Sequence, residues 1–172
     1  VSLALRYDIE QRKVSNRVPL VTDPITGAPI NPGQTGGAIP DKKETFKELQ
    51  PKLSLRYGLT DTLNFYANWG IGFKSGGFNN QGAAAIVDQN FNQFIGTNIL
   101  INDVFRKETS SAFEAGFKGS AADGAITFDL AGYYTKVDDM QFFEFFVGSF
   151  GLLRVVSNID KVDIYGVELN AS

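Results

Sequence analysis

The chain has 172 residues, 43% of them hydrophobic, with sixteen Lys and Arg against nineteen Asp and Glu for a net charge of -3. Neither sign runs in a block, which argues against a nucleic-acid surface. Cys and His are both absent, which excludes disulfides, thiolate or imidazole metal sites, a Cys nucleophile and a His general base, and with them most enzyme chemistries.

No apolar run approaches the ~18 residues of a spanning helix. Val1 already reads as strand, and no signal-peptide pattern is read within 1–172. Fifteen Phe, six Tyr, 18 Gly and only 6 Pro favour β-structure with aromatic anchors over a helical bundle. The first predicted strand covers residues 1–10, where Leu3, Leu5 and Tyr7 alternate with Ala4, Arg6 and Asp8. Residues 11–45 hold five of the six prolines and Gly36-Gly37, and read as a long loop without a core. Alternation resumes over 46–57: Leu49, Pro51, Leu53, Leu55 and Tyr57 take one parity, and Gln50, Lys52, Ser54 and Arg56 the other.

A short turn at 58–62 leads into the clearest strand, 63–74. There Leu63, Phe65, Ala67, Trp69, Ile71 and Phe73 alternate with Asn64, Tyr66, Asn68, Gly70, Gly72 and Lys74. Tilted by about 45°, such a strand crosses roughly 28 Å, the thickness of a hydrocarbon core. Residues 75–106, rich in Gly, Asn and Gln, form the second long loop, which likewise reads as lacking a core of its own. The fourth strand, 107–119, sets Phe113, Ala115 and Phe117 against Glu114, Gly116 and Lys118. After a tight turn at 120–124 the fifth runs over 125–146, and after another near 147–151 the sixth runs over 152–170. Irregularities are expected at Asp138-Asp139 and around 158–162. Same-face pairing across the short turns places Leu55 opposite Phe65, Ser54 opposite Tyr66, Phe117 opposite Phe128 and Lys118 opposite Thr127.

The pattern predicts an all-β chain, an antiparallel up-and-down meander with one greasy face and one polar face. Short turns at one end and long loops at the other are the asymmetry of outer-membrane barrels. A soluble β-sandwich module is the alternative, disfavoured by strands of twelve residues and by the recurrence of long loops on one side.

The run Pro51-Lys52-Leu53-Ser54-Leu55-Arg56-Tyr57, followed by Leu63 through Asn79 with its Trp69-Gly70-Ile71-Gly72-Phe73-Lys74-Ser75-Gly76-Gly77-Phe78-Asn79, resembles the barrel of TonB-dependent receptors. So do Glu108-Thr109 leading into Phe113-Glu114-Ala115-Gly116-Phe117-Lys118-Gly119, and Ser157-Asn158 followed by Ile164-Tyr165-Gly166-Val167-Glu168-Leu169. The resemblance covers roughly 49–169. It implies a bacterial outer-membrane barrel of about 22 strands. An N-terminal plug domain fills such a barrel, and energy from TonB drives import of an iron-siderophore complex, cobalamin, a sugar or a similar nutrient. Neither plug nor TonB box is visible in 1–172, nor a terminal aromatic. The expectation is therefore a single partial barrel, six strands from its later half, an open curved sheet when isolated. A passive porin-like barrel is the competing function. Outer-membrane lipid, the plug of the same full-length chain and TonB are the implied partners, with no nucleic acid, no cofactor and no catalytic or metal residues.

Lys74, Phe78, Asn79 and Asn80 sit where the third strand leaves the membrane and are the candidate ligand contacts, with loop scaffolding as their plainer role. Lys52, Arg56, Glu114, Lys118 and Asp129 are expected to face the lumen, hydrated or against the plug. Gly70, Gly72, Gly76 and Gly77 open no phosphate loop, and read instead as space left for the plug. Phe142, Phe143, Phe145, Phe146 and Phe150 around Glu144 read as loop packing or an upper aromatic girdle, or else as a stacking site for a planar ligand. Asp138 and Asp139 would share acid-base or calcium work only across a bulge, since neighbouring strand residues face opposite ways.

Overall fold

The computed structural model describes residues 1–15, 24–27, 41–79, 82–148 and 151–172. Its elements in chain order are β1 (Ser2–Val14), β2 (Lys42–Gly58), β3 (Leu63–Lys74), β4 (Gly77–Phe78), α1 (Ala83–Val87), a π-helical turn Asp88–Asn92, α2 (Gln93–Ile95), β5 (Val104–Phe105), β6 (Glu108–Ala121), a 3-10 turn Ala122–Gly124, β7 (Ile126–Gly148) and β8 (Gly151–Ala171). Six strands form one antiparallel sheet in the order β1-β2-β3-β6-β7-β8, so each long strand lies beside its neighbour in sequence. The two-residue strands β4 and β5 pair separately inside the second loop.

The parity of every predicted strand is preserved, but both short-turn registers are shifted by two residues. Leu55 faces Ala67, and Phe65 faces Tyr57. Phe117 faces Leu130, and Lys118 faces Asp129. The cause lies in the turns. Leu59 and Thr60 both donate backbone N–H groups to the Leu63 carbonyl, which moves the first reversal toward β3. In the second, Ala122, Asp123 and Gly124 all take positive φ (49°, 53° and 89°), and β6 pairs on to Ala121 opposite Ile126. A shift by two keeps each side chain on its face, so hydropathy alone does not detect it.

Strands also run further than hydropathy showed. Val14 pairs with Lys42, and Gly148 with Gly151. On β1 and β2 both faces turn polar beyond the apolar band, and on β7 and β8 both faces carry apolar residues, so in either case the alternation fades while the backbone ladder continues. Most of the first long loop, Asn80, and Phe150 of the aromatic stretch lie outside the described residues.

In the ladder, Leu3, Leu53, Trp69, Phe113, Tyr134 and Tyr165 fall in one row on one face. The upper edge of the apolar face descends across the sheet. On β1 it reaches Ile9, six residues above that row, and on β8 it stops at Tyr165 within it. Six residues of rise (about 20 Å) over five strand spacings (about 24 Å) give a tilt near 40° between the strands and the normal to the band edge. Barrel walls tilt by about 35–45°.

No described element covers this face. Well inside the sheet, Phe113, Leu130 and Tyr134 are still 48%, 40% and 43% exposed, a continuous apolar surface of the kind that meets a membrane or another protein. The described buried apolar core is small and lies above the band: Ala83, Val87, Phe146, Leu153 and Val155, against which Ile86, Phe91, Ile99 and Ile101 pack. The second loop thus has a core of its own, contrary to the expectation from its composition. That core forms because β7 and β8 project beyond β6, which starts only at Glu108, and the loop folds onto the projecting hairpin.

Candidate functional site

All five predicted lumen residues share the face opposite the apolar one. Lys118 donates to Asp129 at 2.9 Å, Tyr66 donates its phenol O–H to the same carboxylate at 3.2 Å, and the Lys118 ammonium lies 5.2 Å from the Tyr66 ring centroid. The three make one charge-balanced cluster low on the wall. Glu114 sits in the row of Asn68 and Tyr133, while Lys52 lays its stem against Gly70. Arg56 lies opposite Tyr66.

Gly116 and Gly166, on this polar face, make room for the chain's own side chains. A Cβ at Gly116 would stand 2.7 Å from the Tyr66 hydroxyl and 2.4 Å from the Leu130 carbonyl, and one at Gly166 would stand 2.6 Å from the Tyr133 hydroxyl. Gly76 likewise yields to the Phe46 ring. Each tyrosine lies over the glycine paired with it, a cross-strand device that fills the gap a glycine leaves in a sheet.

Lys74 ends β3 on the same face, 3.9 Å from Glu108. With Arg6, Asp8, Glu10, Arg12, Phe73 and Ser75 it lines an open hollow of about 500 Å³ at the long-loop end. Arg6 donates to Asp8 at 2.7 Å and Arg12 to Glu10 at 2.6 Å. Ile9 lines it as well, and the four polar β1 residues of this hollow were missed from sequence, although the signal was there: positions 6, 8, 10 and 12 are the polar parity of a strand whose other parity is Leu5, Tyr7 and Ile9.

Phe78 is half-buried, paired with Val104. Asn79 is 5% exposed and fully occupied. Its amide nitrogen donates to the carbonyls of Asn102 (2.8 Å) and Val156 (2.9 Å), and its amide oxygen accepts the Val156 N–H (2.7 Å). The N–H and C=O of one strand residue point the same way, and the other side of β8 is held by β7. Asn79 therefore docks on the edge of β8 that β7 does not take, like one residue of a further strand. In this structure Asn79 fastens the loop. Further ties are Arg106 to Asp139 (2.7 Å) and Asp160 (3.2 Å), Asn158 to both backbone groups of Arg106, and Lys107 to Glu48. The loop that leaves β3 is thus held to β2 on one side and β8 on the other.

Of Phe142, Phe143, Phe145 and Phe146, only Phe146 is buried, and Phe142 is half exposed although it shares that parity. Phe146 is buried against Phe91 at 5.2 Å between ring centroids, whereas Phe143 and Phe145 are exposed and the Arg154 guanidinium lies 4.7 Å from the Phe143 centroid. Asp139 has φ 56°, and the ladder resumes at Met140 without a slip. Asp138 turns to Lys136 and Asp139 to Arg106, so the two carboxylates do not converge. No group of three potential metal ligands occurs among the described residues.

A meander of long tilted strands, apolar and uncovered on one face, polar on the other, with a folded loop at one end, defines a section of transmembrane β-barrel wall. Residues 1–172 match the family described as TonB dependent receptor-like, beta-barrel, and the chain belongs to that family. It is 32% identical over 120 residues to the pesticin receptor of Yersinia enterocolitica, a match covering 70% of this chain and 15% of the relative. The ferric yersiniabactin uptake receptor of Yersinia pestis is 27% identical, with a TM-score of 0.52 over 85% of this chain and 18% of that one. The copper transporter OprC, 16% identical with a TM-score of 0.57 over 98% of this chain and 24% of that one, shares the fold. The chain thus spans about a sixth of the curated relative's length.

Proposed function

We propose that this chain is part of the wall of an outer-membrane receptor that imports a ferric siderophore, with a plug filling the lumen and TonB supplying the energy. The likeness to a ferric yersiniabactin uptake receptor at 27% identity, across 85% of the chain, carries this reading. It favours an importer over a passive porin, and an iron complex over cobalamin or a sugar. Within the described residues, Lys74 and the hollow around it are the proposed ligand contact, since they lie on the lumen face at the long-loop end. Phe78 and Asn79 are proposed to hold the loop beside the ligand. Lys52, Arg56, Glu114, Lys118 and Asp129 are proposed to meet hydrated lumen or plug, and to take no part in catalysis.

The test is uptake of radio-iron presented as ferric siderophores by cells carrying or lacking the full-length gene. Import that depends on the gene and on TonB is expected for one siderophore class. Lys74→Ala should raise the half-saturating concentration about fivefold, the cost of losing one charge-assisted contact of about 1 kcal/mol. Uptake of every iron complex unchanged by deletion, with the receptor present in the membrane, would refute the proposal.

A further inference from the structure

The outward face of the sheet does not meet the long-loop side in the same way along its width. On β7 and β8 the apolar band ends at Tyr134 and Tyr165, and four charges follow: Lys136 opposite Asp163 and Asp138 opposite Lys161. Lys136 also reaches Asp138 at 3.6 Å. That border is neutral. On β1 and β2 the band ends at Ile9 and Leu49, and the next outward positions are Lys47, then Gln11 opposite Thr45, then Lys13 opposite Lys43. Lys13 donates to Asp41 at 3.0 Å, which holds the Asp41 carboxyl below its ordinary range. Among the described residues, neither Lys43 nor Lys47 has a carboxylate partner, and both are exposed. Glu44, Glu48, Glu10 and Asp8 belong to the opposite, lumen parity, and Glu48 is taken by Lys107.

Asp41 answers Lys13 alone, so the directly opposed Lys43, with Lys47 below it, stays uncompensated, and like charges opposed in a ladder are unfavourable without a further anion beside them. Its place, a few residues above a lipid-facing surface, is where phosphate headgroups stand and where long Lys stems reach from the apolar zone toward them. We infer that Lys43 and Lys47, with Lys13, bind the phosphate groups of a lipid in the leaflet on the long-loop side, its acyl chains lying against Ile9, Leu49, Tyr7 and Leu5. The neutral border on β7 and β8 supplies no such site.

The full-length receptor, purified in detergent, is incubated with lipid A bearing two phosphates and examined by native mass spectrometry. The double variant Lys43→Gln, Lys47→Gln is expected to retain that lipid about tenfold less well, from the loss of two headgroup charges. Lys136→Gln with Lys161→Gln should leave retention unchanged. Lipid A stripped of both phosphates should bind wild type no better than the first variant does. Equal retention by all three proteins, an equal loss in both variants, or undiminished binding of the phosphate-free lipid would each overturn the inference.

Discussion

Arginine at Ala67 in the full-length receptor should destabilise the barrel by about 2–4 kcal/mol, whereas arginine at Asn68, the next residue, should change stability by less than about 1 kcal/mol. The two positions differ only in the face they occupy. Ala67 lies in a row with Leu55, Ala115, Gly132 and Val167, two pairing steps toward the short turns from the Trp69-Phe113-Tyr134 row. A guanidinium there must either displace lipid or drag water inward. Asn68 lies in the row of Glu114 and Tyr133, where charge is already accommodated. Denaturant unfolding of the receptor in phospholipid vesicles, followed by Trp fluorescence, measures both. Equal costs at the two positions would mean that neither face meets lipid.

The second large effect belongs to the loop. Val155→Asp should melt the packing of residues 82–105 on the β7-β8 hairpin and leave the six-stranded sheet intact. Val155 is 1% exposed within a small core whose other members are Ala83, Val87, Phe146 and Leu153. A carboxylate placed there has no partner, and burying it costs about 3 kcal/mol or more, beyond what a core of this size supplies. Hydrogen exchange should rise across 82–105 with no change in 63–74. Asn79→Ala should act in the same direction but less strongly, by about 1–3 kcal/mol, since it leaves the Val156 edge groups unpaired. Protection of 82–105 that survives Val155→Asp would show that the loop is held by something other than this core.

The contrast between these two regions explains what sequence made legible. In 63–74 a period of two persists over twelve residues, and nothing but a strand with one apolar face satisfies it. That Lys52, Arg56, Glu114, Lys118 and Asp129 share one face followed from the same parity, since Lys118 and Asp129 each belong to the polar positions of their strands. Register was harder, because Gly58 through Thr62 and Ser120 through Gly124 accommodate reversals two residues apart with no change of face. The long-range parts were not legible. Nothing local tells that Asn79 reaches Val156, 77 residues away, or that Arg106 bridges Asp139 and Asp160. Helical turns in 83–95 escaped because they are too short to show a period of 3.6 and are made by packing on the hairpin.

The central claim is that this sheet stands in a membrane with its apolar parity toward lipid. Nitroxide labels placed one at a time on cysteines from 63 to 74, in the full-length receptor reconstituted into vesicles, test it most directly. Accessibility to oxygen should peak at 65, 67, 69 and 71, and accessibility to a water-soluble nickel chelate at the alternate positions 64, 68, 70 and 72, a two-residue period in opposite phase. Labels at 65, 67 and 69 that meet the chelate as readily as their neighbours would contradict it, and the sheet would then have to be buried against protein or water.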